Sequence, residues 1–317
     1  IFLSLVCLFE KRFLLSVLLA VLGSFQNPPI AFLIPFIYLR FIQLKGFKVK
    51  GLLLLTAISM FTLLPSLFYY YHFGKPNLIL AMNFTDSSLI GYRRFSSLLF
   101  DLNQGMIAAI PLVLIIFIAG VVHNLIQGPK RWTFLLWLPI IIIFVAIPTI
   151  QQLNWNMGSS VVSRYVAWIS MIPLIYLIYY FDWRKRINLI LMASMIATQV
   201  YLVFSFNGFS PDPGHYIKFN RVSKKILNDY PYLYNPDPEI FTERTLQREG
   251  FQKEHSPVVY YHWNNRQIRK ALVHIDMLDS IKFENVNESM LEEKIRRIKF
   301  HNNWAYINFN AEMLKQE

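Results

Sequence analysis

The chain has 317 residues, 55% of them hydrophobic and 16% aromatic, with only 16% charged; soluble domains carry roughly 25% charge, and one of this size could not hide so much apolar surface. Residues 1–206 hold 15 Lys/Arg against 4 Asp/Glu, whereas residues 207–317 hold 16 against 15, so the net charge of +12 sits almost entirely in the apolar region. A basic excess confined to the loops of an apolar region points to membrane topology and away from nucleic-acid binding.

The opening run Ile1–Phe9 reads as the tail of a truncated helix, with no signal-peptide pattern before it. Phe13–Phe25 and Ile30–Ile42 are two shorter apolar stretches separated by Gln26-Asn27-Pro28-Pro29. The proline pair removes two backbone donors and stops a helix, so the segment reads as a short helical hairpin, with one kinked helix as the alternative. Five stretches then approach the ~20 apolar residues that cross ~30 Å of hydrocarbon: Leu52–Phe73, Met106–Ile126, Thr133–Ile150, Tyr165–Phe181 and Ile187–Phe206. The expected architecture is an α-helical polytopic membrane protein of about 7–8 membrane helices, some short.

If every span crosses, Lys11, Arg12, the Arg40–Lys50 segment, Lys130, Arg131 and Arg184-Lys185-Arg186 share one side. The loops of the other side carry only Lys75, Arg93, Arg94 and Arg164. The positive-inside rule makes the first side cytoplasmic, and the loops 74–105 and 151–164, with everything after Phe206, extracytoplasmic. The expectation is an integral, multi-pass protein of the plasma (inner) membrane.

Turn-forming residues at Asn207-Gly208 and Pro211-Asp212-Pro213-Gly214 mark an exit from the membrane. Residues 1–206 therefore read as a helical bundle and 207–317 as a small α+β domain. In that domain His215–Tyr230 has helical spacing, Tyr234–Pro238 is a rigid turn and Pro257–Tyr261 and Ala271–Ile275 are strands. Glu288–Ile298 follows as an amphipathic helix and Trp304–Phe309 as a last strand.

Motif negatives narrow the chemistry. The chain has no phosphate loop, dinucleotide-binding glycine pattern, HExxH or CxxC, and Cys7 is its only cysteine. No His/Cys/Asp/Glu cluster has metal-ligand spacing, so no cofactor is assigned and a divalent metal is left open. The complete spans carry no acidic residue, which leaves a proton or ion relay poorly supplied.

Polar material gathers instead at the outer ends of spans: Phe100-Asp101-Leu102-Asn103-Gln104-Gly105 before one helix, and Asn154-Trp155-Asn156-Met157-Gly158 with Ser163-Arg164-Tyr165 before another. Helix capping by Asp101 and Asn103, snorkelling by Arg164 and an aromatic-belt role for Trp155 and Tyr165 are the plain structural readings. Taken together, an interfacial Arg, a carboxylate, Asn103 and Asn156, and aromatic platforms suit a lipid-linked phosphosugar. Arg binds phosphate bidentately, Asp and Asn bond hydroxyls, and Trp stacks on a sugar face.

The run Phe100-Asp101-x-Asn103-x-Gly105 leads into a helix containing Pro111. It resembles an element of bacterial membrane glycosyltransferases of the GT-C superfamily (polyprenyl- or dolichyl-phosphate-sugar dependent, mannosyltransferase-like). Trp155-x-x-Gly158-Ser159 followed by Arg164-Tyr165 is similar too, although Ser163 stands where that class has Gly before the Arg. The tail segment Pro231-x-Leu233-Tyr234-Asn235-Pro236-x-Pro238-Glu239-x-Phe241-x-x-Arg244 also looks like the extracytoplasmic tail of such enzymes.

The resemblance implies an inverting enzyme that moves a sugar from a polyprenyl-phosphate carrier to a glycan, lipid or protein acceptor on the non-cytoplasmic face. Its general base would be an acidic residue in an earlier external loop. The candidate substrate-binding residues are Arg164, Trp155, Asp101, Asn103, Asn156 and Tyr165, with no catalytic residue assigned. The competing readings are a non-catalytic membrane scaffold, or a lipid or solute transporter, with an external partner-binding domain. The Tyr234–Arg244 segment reads most simply as a structural turn that packs the tail on the bundle.

Overall fold

The computed structural model describes residues 1–77, 81–82, 85–127, 135–151, 153, 164–205, 217–248, 256–263, 267–281, 288–296, 298 and 303–309. Helix α1 (Phe2–Phe9) turns sharply into α2 (Phe13–Gln26). Ser4 and Ser16 tie the two with reciprocal hydroxyl-to-carbonyl bonds of 2.8 and 2.7 Å, the kind of polar contact that holds apolar helices together where no water competes. The chain breaks at Asn27, makes a 3-10 turn (Pro28–Leu33) and continues as α3 (Ile34–Lys45). Gly23 faces Ile30 at one end, while Phe13 packs edge-on against Phe41, centroids 5.3 Å apart, at the other. The two helices are therefore an antiparallel hairpin.

Gly46, at φ +70°, turns the chain into α4 (Val49–Ser59), a 3-10 turn and α5 (Leu64–Phe73), which together run as one long rod. Among the described residues, three helical stretches are long and apolar enough to cross a membrane: Pro28–Lys45, Val49–Phe73 and Arg186–Ser205. The Val49–Phe73 and Arg186–Ser205 windows are each only 6% buried against protein, so Leu53, Phe61, Leu67, Ile190, Ile196 and Phe204 present apolar faces outward. Apolar faces of that extent are the mark of a membrane protein, because lipid covers them.

The remaining bundle helices are α6 (Tyr92–Phe100), α7 (Met106–Ala109), α8 (Pro111–Gln127), α9 (Trp137–Ile150), α10 (Arg164–Tyr180) and α11 (Arg186–Ser205). Among the shorter apolar helices, α9 has 14 residues, which at 1.5 Å per residue gives about 21 Å, short of a ~30 Å hydrocarbon layer. The stretch expected as one span from Met106 is divided at Ile110, where Pro111 begins a new helix. The amphipathic α6 was not expected at all.

Contacts show which ends coincide. Phe9 stacks on Tyr179 at 4.1 Å, Tyr179 Oη donates to Glu10 at 3.2 Å, and Tyr180 Oη lies 2.6 Å from His123 Nδ1. Lys11, Arg12, Lys45 and Arg184–Arg186 thus share one end of the bundle. The opposite end holds α6, the 101–105 turn and the end of α9.

The tail stands on that opposite end. It comprises α12 (Arg221–Asp229), α13 (Pro238–Leu246), β1 (Val258–Trp263), β2 (Gln267–His274), α14 (Glu288–Arg296) and β3 (Trp304–Asn308). The strands form an antiparallel meander in the order β1-β2-β3, with register shifted between Tyr261 and His262. Side-chain alternation gives the sheet two buried faces. Val259, Tyr261, Leu272 and Trp304 meet Leu227 of α12 and Phe241 of α13; Ala271, Val273 and Ile307 meet Leu291 of α14. Strands β1 and β3 fall close to where the sequence puts them, whereas β2, expected at Ala271–Ile275, begins already at Gln267 and ends at His274. The helix expected from His215 starts only at Arg221, because Asn220 caps it by accepting from Ser223 N at 2.9 Å. Helix α13 stands where a turn alone was expected to end.

Within the bundle, Tyr176 lies against Gly120 and accepts from Asn124 Nδ2 at 2.7 Å. A Cβ at position 120 would sit 2.8 Å from Tyr176 Cε1. Gly120→Ala is expected to cost about 1–3 kcal/mol by overpacking. The check is the thermal midpoint in detergent, and an unchanged midpoint would show that the ring can swing aside.

Candidate functional site: a buried polar joint between bundle and tail

The tail is fixed to the bundle through two polar patches and one shared helix. The first patch centres on Arg94 of α6, a residue only 5% exposed. Its Nε donates to Asp237 Oδ2 at 3.2 Å, its Nη2 to Glu239 Oε2 at 3.0 Å and its Nη1 to the Ile150 carbonyl at 3.0 Å. One guanidinium thus binds two carboxylates from the tail and caps the last turn of α9, where helix carbonyls lack partners. Asp237 also caps α13, accepting from Glu239 N at 3.1 Å, and Pro238 occupies the first helical position, which needs no donor.

The second patch is built on the 101–105 turn. Asp101 Oδ1 accepts from the backbone N–H of Asn103 and Gln104 at 2.8 and 2.9 Å, and Oδ2 accepts from Tyr234 Oη at 2.7 Å. Asn103 donates from Nδ2 to Tyr234 Oη at 2.7 Å and accepts on Oδ1 from Asn220 N and Ser223 Oγ at 2.9 and 2.8 Å. Asn220 Nδ2 donates to the Leu102 carbonyl. Gly105 closes the turn, since a Cβ there would lie 2.4 Å from Asp101 N. Burial drives the Asp101 carboxyl above the usual range, despite the bonds from Tyr234, Gln104 and Asn103 and the field of Arg244, all of which pull it down. Burial, followed by the neighbouring Asp101, raises the Tyr234 phenol well above its usual value.

Between the patches α13 carries Ile240 into the bundle core and Phe241 into the tail core. Every residue from Glu239 to Arg244 is buried. Arg244 donates from Nη1 to the Lys218 carbonyl. Nearby, Lys270 Nζ donates to Asn235 Oδ1 at 2.5 Å and sits 4.8 Å from the Tyr306 ring centroid, with Arg93 5.5 Å from the same centroid. Burial and then Arg93 lower the Lys270 amine well below its usual value.

The sequence-derived candidates are placed as follows. Asp101 and Asn103 are brought together, bridged by Tyr234, inside the joint. Tyr165 is buried in the bundle core, edge-on to Trp168 at 5.1 Å. The backbone of Arg164 opens α10, at the joint's end of the bundle. The side chain of Arg164, together with Trp155 and Asn156, lies outside the described residues. Among the described residues no group of three or more His, Cys, Asp or Glu could hold a metal ion.

Sequence reasoning missed Arg94 as an anchor and Asp237 and Glu239 as its partners. The available signal was an Arg pair in an otherwise apolar region together with two acids flanking a proline in the tail. No protein-family model matches this chain, and neither the curated proteins nor the solved structures contain a match.

Two outcomes follow. Arg94→Met removes the cation that two buried carboxylates share and is expected to cost about 3–5 kcal/mol, read as a lower thermal midpoint and faster proteolysis of the tail. A midpoint equal to the parent's would mean that the joint is not closed in solution. The second concerns pH. Asp101 binds its proton more tightly when folded than an unfolded carboxyl of about 3.9 does. Its contribution is therefore fully present below that value and lost as pH rises through the raised folded value. The stability difference between Asp101→Asn and the parent should shift in the variant's favour as pH rises through that range. Parallel pH profiles would contradict this assignment.

Proposed function

We propose that this chain acts in a membrane glycosyltransferase of GT-C type. It would transfer a sugar, with inversion, from a polyprenyl-phosphate-linked donor to an acceptor on the non-cytoplasmic face. The observation that carries the reading is the segregation of the molecule into two ends. Basic residues Lys11, Arg12, Lys45 and Arg184–Arg186 gather at one end, and the tail with the polar turn at Asp101–Gly105 occupies the other. With the positive end in the cytoplasm, the tail and the start of α10 face outward, where a lipid-linked donor would present its head group. The shorter apolar helices 13–26, 111–127, 137–150 and 165–180 would complete a bundle of about seven membrane helices, thinned locally around the site.

The joint divides the labour among the candidates. Asp101 is bonded by its own turn and by Tyr234 of the tail, and Asn103 by the tail, so they act as the frame. Arg164, with Trp155 and Asn156, would contact the donor's phosphate and sugar, while Tyr165, buried in the bundle core, would support the start of α10. No residue of this chain is assigned as the general base.

The test is turnover of a radiolabelled polyprenyl-phosphate sugar by the whole membrane protein in liposomes. Arg164→Ala is expected to lower turnover by about tenfold to a hundredfold, the value of one or two charge-assisted bonds, with the thermal midpoint kept. Full activity in the variant, or no turnover by the parent protein, would overturn the reading. Solute or lipid movement across the vesicle wall with the donor intact would instead mark a transporter.

A further inference from the structure

The tail carries a cleft of about 500 Å³ in the angle between α12, α13 and β1. Three cations line it: Lys218, Lys224 and Arg244. No carboxylate is found among its described lining residues, which otherwise include Phe219, Thr245, Tyr260 and His262. The volume suits a ligand of one or two sugar rings rather than a bare ion. Lys218 and Lys224 are exposed, whereas Arg244 is buried and bonded to the Lys218 carbonyl. The cleft therefore joins one preset cation to two that can swing onto a ligand. Tyr260 is partly exposed and gives an aromatic face of the kind on which a sugar ring packs.

We propose that this cleft is a binding site for a phosphate-bearing carbohydrate. The phosphate sits among Lys218, Lys224 and Arg244, and the ring lies toward Tyr260. Cations surrounding a phosphate with few competing acids bind through charge-assisted hydrogen bonds; a neutral sugar would gain none of these. The sugar phosphate could be free or carried on a lipid, and the cleft lies near enough to the bundle for either. Phe219, which lines it, is followed directly by Asn220, which bonds the Leu102 carbonyl of the bundle. This site is separate from the start of α10 and does not depend on sugar transfer taking place.

Binding is measured on the whole protein in nanodiscs of zwitterionic lipid, by calorimetry with glucose 1-phosphate and with glucose. A second arm uses nanodiscs doped with a polyprenyl-phosphate sugar and compares the parent protein with Arg164→Ala and with Lys218→Ala/Lys224→Ala. The expected result is that glucose 1-phosphate binds at least about tenfold tighter than glucose, and that the double lysine variant loses about tenfold or more. Raising the salt should weaken binding, because both lysines are solvent-exposed. Both substitutions lie on exposed side chains, so the fold is expected to hold. Binding in either arm that depends on the lysines and not on Arg164 supports the site, and the arm in which it occurs identifies the source. Equal affinity for charged and neutral sugar, or binding that survives the lysine double variant, overturns it. Loss of transfer with lysine-dependent binding intact would count against the glycosyltransferase reading alone.

Discussion

Removing a carboxylate from water costs several kcal/mol unless an opposite charge and further hydrogen bonds replace the solvent. Asp237 and Glu239 are both brought out of water at the end of the bundle, and the guanidinium of Arg94 meets both. That one arrangement fixes much else. It starts α13, because Asp237 is the helix cap as well as an ion-pair partner. It closes α9, because the same guanidinium takes the Ile150 carbonyl. It also requires α6, which places Arg94 between the two. An Arg suits this position better than a Lys, since its planar fork serves three acceptors in fixed directions.

The Asp101–Asn103–Tyr234 patch adds direction to that anchorage. Two separated attachment points, one on α6 and one on the following turn, together with Ile240 packed in the bundle core, leave the tail no axis about which to rotate on the bundle. Almost every donor and acceptor of Asn103 is used, and its partners come from both Asn220 and Tyr234, so α12 and the segment before α13 are seated together. The cleft between α12, α13 and β1 inherits this rigidity, because Arg244 and the Lys218 carbonyl tie its floor to the same helix that Arg94 holds. A site on the tail is thereby held at a set height above the membrane-facing helices.

Much of the architecture was legible from the residues. The proline pair after Asn27 predicts the hairpin, and the Phe13–Phe41 and Gly23–Ile30 contacts bear it out. The strands near Val258, Ala271 and Trp304 follow from alternation. The reading of Tyr234–Arg244 as the packing element of the tail is also met by the structure. Helix α13 itself was not legible, because its periodicity is masked. Glu239, Thr242, Glu243 and Arg244 are buried beside Ile240 and Phe241, so polarity ceases to report which face is inside. Helix α6 was hidden for a similar reason, since it buries Arg94 and Ser97. The partner of Arg94 lies more than a hundred positions along the chain, and a single sequence offers no local pattern that pairs such residues. Asp101 was recognised as a capping type. What capping rules could not reveal is that its second oxygen is reserved for a tyrosine of the tail.

Consecutive residues of α13 belong to different interiors, Ile240 to the bundle and Phe241 to the tail. A helix advances about 100° per residue, so inserting or deleting a single residue before Ile240 would turn each of these side chains out of its own core and part of the way toward the other's. The segment from Pro231 to Arg244 is therefore fixed in length as well as in its anchoring residues. The tail is not a portable module either. Its first turns are cut to fit one particular Arg94 and one particular Asn103, and a graft would have to carry α6 and the 101–105 turn with it.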